Sequence, residues 1–400
     1  MLDTILFALT LLLKASSLWF FAVALFALRR PKPYSVAAPR TRFACLIAAR
    51  NEETVIAALV ESLCAQNYPA ALYDIFVIPN NCTDATEAEA LRAGAKIFRC
   101  FEPVRCKGDA LHEAIGWLLP RGYDAFCVFD ADNLVDADFL ARMNDAFCAG
   151  AEVCKGAMRV KNPHESWLAG CYGLYFTLFD TFFSRARMNC GLSAKLVGTG
   201  FAVRRTVFER LGGWNTVTLA EDAEFAAQCA AHGVRVCFVP EALTLDEAPA
   251  HLALSLRQRR RWCSGIMDAA GRERKALFAA LGGRAPLRAL DALLFLHAPM
   301  LQAVMPIPFV LSLLSAAVQG RLAAFALTAV LTATVCALGC AAFAAVLARL
   351  GGYRGMGKGV LGFPLFMASW LPLQVISLVR RTRSWQPIAH GCTLRAAQVS

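Results

Sequence analysis

The chain changes its hydrophobic pattern four times. Thr4 to Leu28 is almost continuously apolar, with Lys14 as its one charge, and is long enough to span a bilayer. From Phe43 to about Val239 short apolar runs alternate with amphipathic stretches, the pattern of a mostly parallel sheet covered by helices. Phe43 to Ile47, Ile75 to Ile78, Ala95 to Phe98, Phe126 to Phe129 and Val234 to Val239 are the predicted strands. Glu52 to Gln66, Asp84 to Ala93, Asp109 to Leu119 and Asp222 to Ala231 are the predicted helices, several opening on an acidic residue that suits the helix dipole. In Leu252 to Met267, Leu252, Leu256, Cys263 and Met267 share one helical face while Arg257, Arg259, Arg260 and Arg261 crowd the rest, which predicts a helix lying in a membrane interface. Three apolar stretches follow, roughly 290 to 316, 322 to 348 and 359 to 379. Pro299, Pro306 and Pro308 interrupt the first and Pro364 and Pro372 the third, so either can be re-entrant instead of a full crossing.

Composition fixes the class. With 57% hydrophobic and 18% charged residues, and a mean hydropathy of +0.47, this is a membrane protein. The net charge of +11 sits beside apolar segments and not along a polar stripe, which points to lipid headgroups or phosphorylated substrates and away from nucleic acid. Sixteen cysteines without a C-x-x-C pair suggest buried thiols in a reducing cytosol, and no zinc site is expected. Asp3 precedes the first apolar run and Arg29, Arg30 and Lys32 follow it. That asymmetry favours an uncleaved anchor with residue 29 onward in the cytosol over a signal peptide cut near Ala22-Val23-Ala24.

The expected organisation is an anchor over 1–32, an α/β domain over 40–250, interface helices over 251–285, a membrane region over 286–380 and a basic tail over 381–400. If all three C-terminal stretches cross, Arg380, Arg381 and Arg383 end outside; two full crossings keep them cytosolic and are preferred. A transporter is disfavoured, because the spans are few and no intramembrane carboxylate is apparent.

The candidate chemistry begins at Ala125 to Asn133, an apolar strand ending in Asp130 and Asp132. In an open α/β sheet that edge binds ligands, and one or two carboxylates plus substrate phosphates are the usual Mg²⁺ set. The plain alternative is an acidic start to a helix over Leu134 to Phe147. The other predicted strands run into Ala48-Ala49-Arg50-Asn51-Glu52-Glu53 and Asn80-Asn81-Cys82-Thr83-Asp84 at the same edge. Lys107-Gly108-Asp109 opens a helix where backbone donors and a Lys suit phosphate. Gly198-Thr199-Gly200-Phe201, Ala220-Glu221-Asp222 and Gln258-Arg259-Arg260-Arg261-Trp262 complete the series. Gln258, Arg261 and Trp262 fall at i, i+3 and i+4 and share a face; Arg259 and Arg260 then point elsewhere, toward headgroups.

Taken in order, these pieces resemble the membrane-integrated family 2 glycosyltransferases, the group that includes cellulose, chitin-oligosaccharide, hyaluronan and poly-N-acetylglucosamine synthases and ceramide glucosyltransferase. The resemblance covers nearly the whole chain. It implies a cytosolic GT-A domain (a Rossmann-like mixed sheet) at the cell membrane, a UDP-sugar donor, Mg²⁺ or Mn²⁺, and an inverting transfer to a growing polysaccharide or, alternatively, of one sugar to a lipid acceptor. By residue, it implies Asp132 as metal ligand and Asp130 on the ribose or a donor hydroxyl. Ala49, Glu52, Asp84 and Lys107 would contact the nucleotide, and Asp222 would be the base, with Glu221 beside it. Gln258, Arg261 and Trp262 would serve the diphosphate and acceptor, and Thr199 and Gly200 the acceptor pocket. Ser384 to His390 resembles a Trp-bearing loop that closes over the site in related synthases. Asn80 stands where many relatives carry Asp, and Ala220 where Thr is common.

Overall fold

A computed structural model describes the backbone of residues 2–382 and the side chains of residues 10–382. The predicted 384–390 loop lies outside the described residues. One eight-stranded sheet organises the α/β domain: β1 (Phe43–Ala49), β2 (Tyr73–Pro79), β3 (Lys96–Ile97), β4 (Ala125–Asp130), β5 (Leu134–Val135), β6 (Val153–Val160), β7 (Phe201–Arg204) and β8 (Val236–Asp246), in the order β3-β2-β1-β4-β7-β6-β8-β5. The first four run parallel to their neighbours, and β7 is inserted antiparallel between β4 and β6. β6 pairs parallel with β8 through an irregularity at Gly156/Ala157.

All five predicted strands are present, but β5, β6 and β7 were not anticipated. β6 reads Val-Cys-Lys-Gly-Ala-Met-Arg-Val, so Lys155, Gly156 and Arg159 interrupt the apolar run that marks a strand in sequence. The alternative helix over Leu134 to Phe147 is corrected: Leu134 and Val135 pair with β8, and the helix starts later, at Phe139–Cys148. Asn133 is a brace and not a cap, its amide donating to Asp246 Oδ1 at 2.9 Å.

Helices cover both faces of the sheet. Ile56, Leu59, Val60 and Leu63 of helix Ile56–Cys64 pack with Phe139, Leu140 and Met143 on one side. On the other, Ala110, Leu111 and Ile115 of helix Lys107–Leu118 meet Phe208, Trp214 and Phe225. Trp214 stacks on Phe225 at 4.4 Å and on Phe201 at 6.0 Å. These contacts seat helix Glu221–Ala231 against β7, each aromatic pair adding ~0.5–1.5 kcal/mol beyond its buried area.

The membrane side is more continuous than the prolines suggested. Among the described residues four helical segments are long and apolar enough to cross a bilayer, 10–28, 286–318, 322–350 and 357–379. Each of the three C-terminal stretches therefore reaches membrane length, and length does not single out two. Pro306 starts a new helix directly after Pro286–Val304, and Pro364 sits inside Gly357–Ala368. Asp291, which has no role in the sequence reading, lies near the start of the 286–318 segment, buried, with Arg187 forked onto it.

Helix Trp167–Leu178, buried over nearly its whole length, joins the sheet to this bundle. It packs on Ala344, Leu347, Phe363 and Phe366. Gly170 and Gly359 make the close approach possible: a Cβ built on Gly359 would stand 3.2 Å from Gly170 backbone, so small residues set the helix separation.

Candidate active site

The C-terminal ends of β1, β2, β4 and β8, together with the Gly198–Thr199 turn that leads into antiparallel β7, converge on one cavity of ≈ 740 Å³. Of the residues singled out in sequence, Glu52, Lys107, Asp130, Asp132, Thr199, Glu221, Asp222, Gln258, Arg261 and Trp262 line it. Ala49, Asp84 and Gly200 are not among its lining residues.

Those three act one step back. Ala49 O accepts from Asn80 N at 2.9 Å and from the Asn80 amide at 3.0 Å. Asn80 Oδ1 in turn accepts from Arg50 Nε at 2.9 Å, so the amide at this position donates and accepts at once. Asp84 accepts from Thr86 Oγ1 at 2.6 Å and from Glu53 N at 3.1 Å, tying the β1 and β2 loops together. Gly200 has φ +63° against Thr244 and Lys155, a left-handed turn with no room for a side chain.

The Asp130–Asp132 turn is held from several sides. Asp130 N donates to Thr199 Oγ1 at 3.1 Å and to Asn133 Oδ1 at 3.2 Å, and the Thr199 hydroxyl bonds Asn133. Lys161 Nζ donates to Asp132 O at 2.9 Å and pairs with Glu247 at 3.0 Å. Glu247 N donates to Asp132 Oδ2 at 3.3 Å. Asp246 ends β8, Glu247 follows it, and both line the same cavity. Sequence reading missed them, although Leu243-Thr244-Leu245 running into two acids is the same signal as β4 running into Asp130.

Carboxylates crowd here. Burial, then Asp132 and Asp130, push the Glu52 carboxyl up to about 9, and the same causes raise Asp246 well above the usual carboxylate range. A divalent cation would relieve that repulsion, and oxygen ligands suit Mg²⁺ or Mn²⁺. Among the described residues no three His, Cys, Asp or Glu side chains hold a metal by themselves. One or two of these carboxylates together with a phosphate-bearing ligand would make up such an oxygen set.

Lys107 Nζ bridges the two halves of the site, at 2.5 Å from Asp130 Oδ1 and Gly198 O and 3.8 Å from Glu221. Burial opposes its charge, but Asp130 and Glu221 outweigh burial and raise its pKa. Glu221 and Asp222 open their helix at its N-terminus, where Ala223 N donates to Asp222 Oδ1 at 2.8 Å. Burial raises both carboxyls despite the nearby Lys107. Buried Glu224 fixes the approach to this helix, accepting from Val217 N at 3.0 Å and Thr218 N at 2.8 Å.

Helix Leu252–Ala280 presents Gln258, Arg261 and Trp262 to the cavity from one face. Gln258 accepts from Tyr172 O–H at 3.3 Å, and Trp262 stacks with Trp370 at 6.3 Å. Arg261 Nε is buried with no hydrogen-bond partner among the described residues, a donor left for a ligand. Arg259 corrects its sequence assignment as a headgroup contact. It is fully buried, donates to Ser255 Oγ, Phe366 O and Ser369 Oγ, and lies 4.4 Å over the Phe366 ring. The opposite face of the helix is covered by 357–379, a partner that helical periodicity alone does not reveal.

Beyond this polar end the cavity becomes aromatic and apolar. Phe20, Phe179, Phe183, Phe295, Pro299 and Met305 line it, drawn from the N-terminal helix, a π-helical turn at Phe179–Arg185 and the first C-terminal membrane helices.

A family model described as glycosyl transferase family group 2 matches residues 125–347. YdaM of Bacillus subtilis, a probable glycosyltransferase, is 32% identical over 230 residues, which are 55% of this chain and 54% of that one. Beta-monoglucosyldiacylglycerol synthases of Synechocystis sp. and Nostoc sp. are 28% identical over 244 residues and 31% over 234, covering 57% and 55% of this chain and 48% of each of theirs. The chain thus spans about half the length of the curated relatives it matches. The mannosyltransferase PcManGT of Pyrobaculum calidifontis, solved in complex with GDP-Man and Mn²⁺, superposes with a TM-score of 0.62 at 21% identity, over 94% of this chain and 99% of that one. At that identity the likeness concerns the fold.

Proposed function

The chain belongs to glycosyl transferase family group 2 and carries a GT-A sheet, and from that premise we propose that it is a glycosyltransferase that transfers one sugar from a UDP-sugar to a hydroxyl of a membrane lipid, with inversion. One observation carries this reading: a single cavity joins the carboxylate edge of the sheet to an aromatic chamber built by membrane helices. An amphipathic acceptor fits such a cavity, chain in the chamber and hydroxyl at Asp222. The names of the Synechocystis and Nostoc relatives point the same way.

In this mechanism the β1 and β2 loops, braced by Ala49 and Asp84, bind the nucleoside, and Glu52 faces it from the cavity wall. Asp130 takes a donor hydroxyl and is oriented by Lys107. Asp132 and the donor diphosphate would hold Mg²⁺ or Mn²⁺, which when bound offsets charge on the departing phosphate. Arg261, whose buried Nε meets no acceptor among the described residues, donates to the same phosphates. Asp222 accepts the proton of the attacking hydroxyl, and burial keeps its pKa high enough for base catalysis. Glu221 and Lys107 set the charge around it. Catalysis on the cytosolic face of the cell membrane is part of the same proposal.

The second reading is a growing β-linked polysaccharide, favoured by the stacked Trp262 and Trp370, a platform suited to sugar rings. The test is product size. Full-length protein in nanodiscs with Mn²⁺ or Mg²⁺ is given labelled UDP-sugars together with diacylglycerol, ceramide or polyprenol. A lipid bearing one sugar is the expected product, and polymer made without added lipid would overturn the reading in favour of the second.

A further inference from the structure

Lys195 belongs to none of the motifs above, yet it lines the cavity together with Asp222. Its segment is pinned to the sheet on both sides: Ala194 N donates to Val236 O at 2.9 Å, and Val236 N to Ser193 Oγ at 3.3 Å. The Lys195 ammonium stands 3.7 Å from the Phe179 ring centroid, 5.7 Å from Tyr175 and 5.8 Å from Phe295. Rings attract a cation but do not accept its three N–H donors in the directions an oxygen would.

Three other cations near it are provided with oxygen. Lys107 has Asp130 and Gly198 O, Lys155 has Gly156 O at 2.6 Å, and Arg159 has Asp180 at 3.1 Å. Among the described residues no hydrogen-bond acceptor meets Lys195. Burial pushes its pKa down to about 8, while Asp222 and Asp180 favour the charge, so the ammonium persists at neutral pH. A half-buried cation with unmet donors, at the junction of the carboxylate and aromatic ends of one cavity, is placed to meet a ligand.

We propose that Lys195 is an acceptor-binding residue: its ammonium holds a hydrogen-bond-accepting oxygen of the acceptor headgroup, next to the hydroxyl that faces Asp222. Phe179 and Phe295 then flank the first carbons of the acceptor's apolar chain. The acceptor class this selects has two oxygens close together, one nucleophilic and one accepting, directly ahead of a hydrocarbon chain. The inference rests on the lipid-acceptor reading.

The test compares wild type, Lys195→Met and Lys195→Arg in nanodiscs on diacylglycerol or ceramide, whichever the wild type glycosylates; wild-type transfer to polyprenol alone, which has no second oxygen, would overturn the inference. Loss of a charge-assisted hydrogen bond raises the acceptor KM by roughly ten- to a hundredfold in Lys195→Met. The donor KM stays within about twofold, because no donor group is removed. Lys195→Arg, which keeps a cation and donors over the rings, recovers most of the loss. Equal rises in both KM values would mean a merely structural role and overturn the inference, as would an unchanged acceptor KM or an Arg variant no better than Met. No transfer by wild type to any lipid would overturn the acceptor reading itself, a result separate from wild-type activity with an indifferent Lys195→Met.

Discussion

Removing the Asp291 carboxylate should destabilise the protein far more than removing any surface carboxylate. Arg187 Nε and Nη2 donate to Asp291 Oδ2 and Oδ1 at 2.8 and 2.9 Å, and Trp19 Nε1 donates to Oδ1 at 2.8 Å. The two charged side chains are 1% and 7% exposed, and the guanidinium lies 3.3 Å over the Phe183 ring. In Asp291→Ala the buried Arg187 keeps its charge without a counter-ion, a loss of ~3–5 kcal/mol for a pair of this kind. The stranded Trp19 N–H adds about 1 kcal/mol or more. Arg210 and Glu152 supply the control: they are 2.9 Å apart but 43% and 38% exposed, so Glu152→Ala should cost about 0–1 kcal/mol. Replacing both partners, Arg187→Met with Asp291→Leu, should recover much of the loss because no charge is left buried. Denaturant unfolding in detergent micelles, compared across the four proteins, reads the differences. An Asp291→Ala variant as stable as Glu152→Ala, or a double variant worse than the single, would refute the reasoning.

Three further outcomes follow, two from the site and one from helix packing. The acid limb of kcat/KM should lie above the ordinary carboxylate range, because burial raises the Asp222 pKa and the base works only when deprotonated; activity then rises as pH climbs through that value, and a limb near pH 4 would contradict this. Chelation of divalent metal should abolish transfer and Mn²⁺ or Mg²⁺ restore it, while Asp132→Ala, assayed by nucleotide release, should lose metal stimulation at any concentration. Gly359→Val should cost ~1–3 kcal/mol in unfolding experiments, since its side chain meets Gly170 backbone that cannot move aside cheaply; unchanged stability would mean the two helices separate freely.

Asp130 and Asp132 were legible because a strand that is apolar on both faces ends abruptly in acids, and parallel topology puts every such end on one edge. The helix face of Gln258, Arg261 and Trp262 was legible from spacing alone. What covers the opposite face was not, and for that reason Arg259 was misassigned to headgroups when it is locked into Phe366 and Ser369. β6 was hidden by Lys155, Gly156 and Arg159, two charges and a glycine that break the apolar run; Lys155 is met by the adjacent Gly156 O and Arg159 by Asp180, a partner 21 residues on. Asp291 escaped notice for the same reason, since its partner Arg187 is 104 residues away. Lys195 carries no local signal at all: its significance comes from rings contributed by Tyr175, Phe179 and Phe295 and from a cavity that exists only once the chain is folded.

The central claim is that a partly buried carboxylate at the N-terminus of helix Glu221–Ala231 takes the acceptor proton on a nucleotide-sugar transferase scaffold. Asp222→Asn tests it most directly, because the amide keeps the shape and the Ala223 contact through its carbonyl oxygen. Transfer from labelled UDP-sugar and equilibrium binding of UDP should be measured on the same nanodisc preparation. The account predicts transfer reduced by at least ~10²-fold with UDP affinity unchanged. Transfer at the wild-type rate, or loss of UDP binding in parallel with transfer, would contradict it.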